Sequence, residues 1–205
     1  MTDKTYHIRR AALEDVPAII ALIGEAADWL QKTKHTDQWA KPWPDRDARD
    51  TRISQGIVDG LTWMVTDNGT LVATITRREQ GSGILWTPAE LRQPAVYVSR
   101  LIVRRDRARC GVGAALIDWA GLHGIEEWGA RWIRVDVWTT NDGLHRYYKG
   151  LGFTHLRTLE FENAWDYPSG ALFQKPTTEI DRASAARFKV TDEGSAAAGE
   201  TLAAP

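Results

Sequence analysis

Four arginines and two glycines fall within ten residues in Arg104-Arg105-Asp106-Arg107-Ala108-Arg109-Cys110-Gly111-Val112-Gly113. The run follows the apolar stretch Val96–Val103 and opens a segment in which Val112, Ala115, Leu116 and Trp119 share a helical face. A strand that turns into a helix over glycines aims several backbone N–H groups at one point. The helix terminus adds partial positive charge there. Glycine lets a ligand come close to the backbone. The expected chemistry is an anion site, best suited to a pyrophosphate. It is not a P-loop, because no G-x-x-x-x-G-K-[ST] string occurs. It is a poor dinucleotide fingerprint, because Leu116 stands where a third small residue belongs. The acid that follows, Asp136, lies inside a strand rather than at its end.

A second group of chemical residues lies downstream. Asn141, Tyr148, Gly152 and Phe153 are spaced as N-x6-Y-x3-G-F. Together the two strings resemble the GNAT superfamily of N-acetyltransferases. That family's first motif, [Q/R]-x-x-G-x-[G/A], matches Ala108–Gly113 at both glycines and departs at Ala108. Its second, N-x-x-A-x-x-x-Y-x-x-x-G-F, matches Asn141–Phe153 except that Leu144 replaces the small residue. The specific motifs lie in 96–153, and the order of elements agrees from about residue 6 to 175.

The resemblance implies acetyl-coenzyme A as co-substrate. Its pyrophosphate would lie on the turn formed by Ala108, Arg109, Cys110, Gly111, Val112, Gly113 and Ala114, with Arg107 or Arg109 supplying the charge absent at Ala108. The strand backbone at Leu101, Ile102 and Val103 would pair with pantetheine, and Asn141 would touch the same arm. Tyr148 would protonate the leaving thiolate; a free phenol, with a pKa of roughly 10, holds its proton at neutral pH. No acid occupies Tyr97–Arg100, where some members carry a catalytic glutamate. The base is left open among a water chain, Asp136, a residue of the first helix, or none. The expected activity is acetyl transfer to a primary amine of a small molecule. Transfer to a protein N-terminus or lysine, and acyl-coenzyme A binding without catalysis, are the alternatives.

These residues must be positioned by an α/β domain: a mixed, strongly twisted sheet of about six to seven strands flanked by helices, over residues 1–175. Val16, Ile19, Ile20, Ile23, Ala27 and Leu30 predict one amphipathic helix, and Arg46–Asp59 a weaker one. Asp67-Asn68-Gly69 predicts a hairpin turn. Trp132–Trp138 alternates as a strand, Leu144, Tyr147, Tyr148 and Leu151 share a helical face, and Phe153–Phe161 and Ala171–Lys175 read as strands. Residues 176–205 hold eight alanines and one aromatic, Phe188, and read as a disordered tail.

Ten tryptophans are unusual. Trp119, Trp132 and Trp138 read as packing residues. Trp29, Trp39, Trp43, Trp86 and Trp165 lie in or beside loops, where they would either close the core edge or line an acceptor pocket. Asp37, Asp45, Glu162 or Asp166 would attract an ammonium there.

The 205 residues carry 26 basic and 27 acidic side chains, a net charge of −1, which argues against general nucleic-acid binding. The single cysteine, Cys110, forbids an intrachain disulfide, and the isolated histidines show no metal-ligand spacing. With no apolar signal segment at its start and no transmembrane run, the chain reads as cytoplasmic, off the membrane, metal-free, and a monomer or homodimer.

Overall fold

The computed structural model describes residues 4–161 and 167–191. Eight strands form one open sheet: β1 (Tyr6–Arg10), β2 (Thr62–Asp67), β3 (Thr70–Arg78), β4 (Ala95–Val103), β5 (Trp132–Val137), β6 (Thr154–Thr158), β7 (Ala171–Pro176) and β8 (Phe188–Val190). The order across the sheet is β6-β7-β5-β4-β3-β2-β1-β8. The β4–β5 and β1–β8 pairs are parallel and the rest antiparallel, so the sheet is mixed, as expected. The β2–β3 hairpin turns on Asn68 (φ 49°) and Gly69 (φ 76°), positive angles that this residue pair adopts at little cost.

Helix α1 (Val16–Trp29) buries Ile19, Leu22, Ile23, Ala26 and Ala27. That stripe is rotated from the expected one: Ile19 anchors it, and Val16 and Ile20 pack only at its edge. With α2 (Arg46–Val58), α1 covers Met64 and Ile102 on one sheet face. The same face of β4, β5 and β7 is covered by the segment before β4, which contains the single-turn helix α3 (Pro88–Leu91) and packs Leu85 and Trp86 on Tyr97 and Leu172. Arg134 is buried beneath this segment. It donates to the Glu90 carbonyl at 2.6 Å, the Tyr97 hydroxyl at 2.9 Å and Gln93 Oε1 at 2.7 Å. The polar side of the alternating β5 therefore faces protein rather than water. Helix α4 (Val112–Trp128) lies on the opposite face over Val96, Ile133 and Val135, and α5 (Asp142–Gly150) follows β5.

The expectation of a disordered tail from residue 176 fails over 177–191. A 3₁₀ turn (Thr177–Glu179) leads to α6 (Arg182–Ala185), which packs on α4, and β8 then pairs with β1 in the register Tyr6↔Phe188 to Ile8↔Val190. Few apolar residues suffice because each is well placed. Phe188 stacks on Tyr6 with ring centroids 5.7 Å apart, Ala185 is buried, and main-chain bonds run from Tyr6 N to Arg187 O and from Thr191 N to Ile8 O. This segment supplies the eighth strand. Residues 192–205 lie outside the described residues.

Candidate functional site

Strands β4 and β5 pair only from Ala95↔Trp132 to Val98↔Val135. Beyond that point β4 runs on to Val103 and β5 to Val137 without pairing, so the two strands part. The cause lies in β4. Its register against β3 breaks between Thr74 and Thr76, opposite Arg100, which takes φ 47°. A bulge at that position bends the strand and increases its twist. Leu101, Ile102 and Val103 lie beyond the bulge, and the last two pair with Thr74 and Ala73 of β3. The β5-facing edge of this stretch carries no ladder partner among the described residues. A cavity of about 630 Å³ opens at the gap, lined by Leu101, Ile102, Val103, Asp136, Asn141 and Tyr148 among others.

The arginine-rich turn lies at the end of the same strand. Arg109 and Gly111 both have positive φ, 66° and 71°, and reverse the chain into α4. Gly111 is the N-cap and offers no side chain to the first amides of the helix. No acid stands in its first turn, and the first return bond is from Ala115 N to the Gly111 carbonyl. The amides of Val112, Gly113 and Ala114 therefore point out of the helix end without an intrahelical acceptor. A Cβ on Gly113 would sit 2.9 Å from the Tyr147 hydroxyl, so a larger residue there would have to displace that exposed ring.

The four arginines differ in their commitments. Arg104 pairs with Asp106, and Arg107 with Asp67 at 3.2 Å, while the Arg105 guanidinium stacks over Trp29. Arg109 makes no ion pair among the described residues, so of Arg107 and Arg109 it is the cation free to stand in for Ala108. Cys110 is exposed beside it. Ala108 to Ala114 do not line the cavity; apart from Val112, whose side chain is buried in the core, they are partly or fully exposed.

Helix α5 places the second group. Tyr148 is buried, its ring edge-on to Phe153 at 5.2 Å and tilted on Phe173 at 6.2 Å. Its hydroxyl bonds to no described residue, and the residue lines the cavity. Burial, with Tyr147 and Asp136 nearby, pushes that phenol well above its usual value. Asn141 carries a structural duty: its Oδ1 accepts from Leu144 N at 2.9 Å as the α5 N-cap, and its Nδ2 donates to Gln38 Oε1 at 2.5 Å. One N–H of that amide is left for a ligand.

The far side of the cavity is formed by Trp39, Trp43, Arg52, Arg78, Arg100, Asp136 and Tyr167. Asp136 accepts the Tyr167 hydroxyl at 2.6 Å. Burial pushes its carboxyl above the usual range, against the opposing pull of Tyr167, Arg78 and Arg100. Arg100 is brought down to about 10 by burial and by the charges of Arg78 and Arg52. The other acids of the sequence reading are engaged or lie elsewhere. Asp37 accepts from Trp138 Nε1 at 2.9 Å and Thr140 Oγ1 at 2.5 Å, which pins the loop before α2 to the end of β5. Asp45 caps α2 through Ala48 N. Glu162, Trp165 and Asp166 lie outside the described residues. Trp86 is buried against Tyr97 as part of the core and also lines the cavity, as do Trp29, Trp39 and Trp43. Sequence reasoning missed the arginines. The available signal was the Ser99-Arg100 pair, polar in the middle of an otherwise apolar strand.

A family model described as the Acetyltransferase (GNAT) family matches residues 25–153. The uncharacterised N-acetyltransferase YesJ of Bacillus subtilis (strain 168) is 28% identical over 173 residues, which cover 82% of this chain and 88% of YesJ. A GNAT-family acetyltransferase structure from Listeria monocytogenes superposes with a TM-score of 0.63 at 26% identity, covering 83% of this chain and 94% of that one. The PaiA N-acetyltransferase of Thermoplasma acidophilum, solved in complex with coenzyme A, superposes with a TM-score of 0.60 at 16% identity, covering 84% and 99%.

Proposed function

The chain belongs to the acetyltransferase (GNAT) family, and from that premise we propose that it moves an acetyl group from acetyl-coenzyme A to the primary amine of a small molecule held in the cavity between β4 and β5. The observation that carries the reading is the parting of those strands beside a helix terminus with open amides. The residues fit the co-substrate. The unladdered edge of Leu101–Val103 offers main-chain groups to the pantetheine amides. The amides of Gly111, Val112, Gly113 and Ala114, with Arg109, suit a pyrophosphate. The coenzyme A held by PaiA supports the same assignment.

Direct transfer follows. The amine nitrogen attacks the thioester carbonyl carbon, the C–N bond forms and the C–S bond breaks. The proton lost by the amine goes to Asp136, whose raised carboxyl is a stronger base than an ordinary aspartate. Tyr148 donates a hydrogen bond from its hydroxyl to the sulfur, which departs as the thiolate. The walls favour a small acceptor over a protein, because the loop carrying Trp39 and Trp43 is tied across the cavity by Asp37 and Gln38.

Calorimetric titration of acetyl-coenzyme A, with NADH as control, tests the donor site. A screen of small amines and peptides for free-thiol release tests the acceptor. Binding of the thioester alone and turnover of small amines are expected. Binding without turnover of any amine would make this an acyl-coenzyme A-binding module, and turnover of peptides alone would move the acceptor to protein.

A further inference from the structure

The guanidiniums of Arg52, Arg78 and Arg100 converge on the acceptor side of the cavity, with Asp136 beside them. Arg100 projects from the β4 bulge toward α2, where its Nη1 comes beside Gly56, 3.7 Å from where a Cβ there would sit. That nitrogen is sealed from solvent and has no hydrogen-bond acceptor, and the same holds for Nε of Arg78. Arg52 spends its guanidinium on the Trp43 carbonyl and the Trp43 ring. Asp136, the acid in the field of Arg100, already accepts the Tyr167 hydroxyl. Asp45 lies in the field of Arg52 and Asp136 in that of Arg78 and Arg100, so even with both acids ionised one of the three positive charges has no acid opposite it among the described residues. Buried donors without acceptors cost free energy, as do like charges brought together. Such groups persist where a ligand supplies the missing acceptor.

We propose that the acceptor amine carries a second, anionic group, a carboxylate or a phosphate, which Arg100 and Arg78 receive. The inference rests on reading this cavity as the acceptor side of acetyl transfer. It assigns the substrate two ends. The amine lies toward the thioester, and the anion lies toward the β4 bulge. A flat or apolar middle fits between Trp39 and Trp43. Arginine suits the anion end because its planar fork meets two oxygens at once. The same charge excludes polyamines, which present only cations.

The test is a matched panel in the thiol-release assay: tryptophan against tryptamine and tryptophanamide for the carboxylate, O-phosphoethanolamine against ethanolamine for the phosphate, and spermidine as the cationic case. In one of the two arms the anionic amine should exceed its uncharged counterpart in kcat/KM by about 10²-fold or more, the scale of a buried charge pair. Arg100→Gln should collapse that ratio toward one. Arg78→Gln, on the neighbouring strand, should do so in part, and serves if the first variant does not fold. In parallel, N-acetyltryptophan, N-acetyltryptophanamide and inorganic phosphate are titrated into the coenzyme A complex. Tighter binding of an anion, weakened by either substitution, supports the proposal even if no panel amine turns over. Equal or better use of tryptamine or spermidine, or ratios and anion binding that neither substitution changes, overturns it while leaving acetyl transfer intact. Failure to bind acetyl-coenzyme A would instead sink the transfer reading, and this inference with it.

Discussion

In the proposed transfer Tyr148 and Asp136 would take separate parts, and their surroundings predict how each responds to pH. A buried phenol with its pKa raised stays protonated across any usable pH, so it can always donate but contributes no alkaline limb to the rate. A thiol, at roughly 8.5, is the stronger acid, so the hydroxyl acts chiefly by hydrogen bonding to the sulfur as it leaves. Tyr148→Phe should lower kcat by about 10²-fold while acetyl-coenzyme A affinity barely changes. A rate within threefold of the parent would remove Tyr148 from the mechanism. Asp136 works in the opposite sense. Its ionised form is the base, and that form is lost as pH falls through a carboxyl value raised by burial and moderated by Tyr167, Arg78 and Arg100. kcat/KM should therefore fall as pH is lowered through a value above the ordinary aspartate one of about 3.9. Asp136→Asn should abolish that limb as well as slow the reaction. An unchanged acid limb in the variant would assign the base elsewhere. Tyr148 was legible from its spacing to Asn141 and Gly152-Phe153. The cavity arginines were not, because their meaning depends on a bulge that bends β4 and on which acids lie opposite them.

Among the elements, the segment before β4 shows how a loop can be held as firmly as a helix. Thr87 caps α3, and Glu90 returns a bond to Thr87 N at 2.8 Å. The same Glu90 makes a two-pronged pair with Arg157 of β6 at 2.7 and 2.8 Å. Those bonds hold its carboxyl down to about 2. A lowered acid stabilises the fold above its unfolded value, near 4.3, and the contribution drains away as pH falls toward the folded one. Glu90→Gln should cost about 1 kcal/mol at pH 7, the scale of a partly exposed pair. The gap to the parent in urea midpoints should narrow between pH 4 and the value near 2 where Glu90 protonates. A gap that is the same at both ends would mean the charge contributes nothing. Here the sequence showed only Trp86, Pro88 and a loop. A capping box four residues long was readable in Thr87-x-x-Glu90, but its partner Arg157 is 67 residues away and visible only in the fold. The hairpin, α4 and the alternating β5 were legible because each signal is local.

For the whole molecule, a net charge of −1 hides strong local fields: an arginine-rich turn at one end of β4 and a guanidinium cluster at its bulge. Composition argued against general nucleic-acid binding without disclosing either field, since sums carry no positions. The tail was misread for a related reason. Apolar content predicted too little burial after residue 176, yet Phe188, Ala185 and main-chain pairing fix the segment on β1 and α4. Phe188→Ala should cost about 3 kcal/mol in urea unfolding, at the low end for a buried phenylalanine because β8 is an edge strand. No change would return the segment to a loose tail.

The place of β8 also bears on how the chain is made. Every other strand of the sheet is synthesised before it, and β1, the earliest, lies against it. Through most of translation the outer edge of β1 therefore waits with its N–H and C=O groups unpaired, an open template for strands of other nascent chains. A ribosome stalled between β7 and β8 would release a product whose core is nearly complete and whose edge is adhesive. The short C-terminal strand thus acts as a guard against aggregation as well as a source of stability.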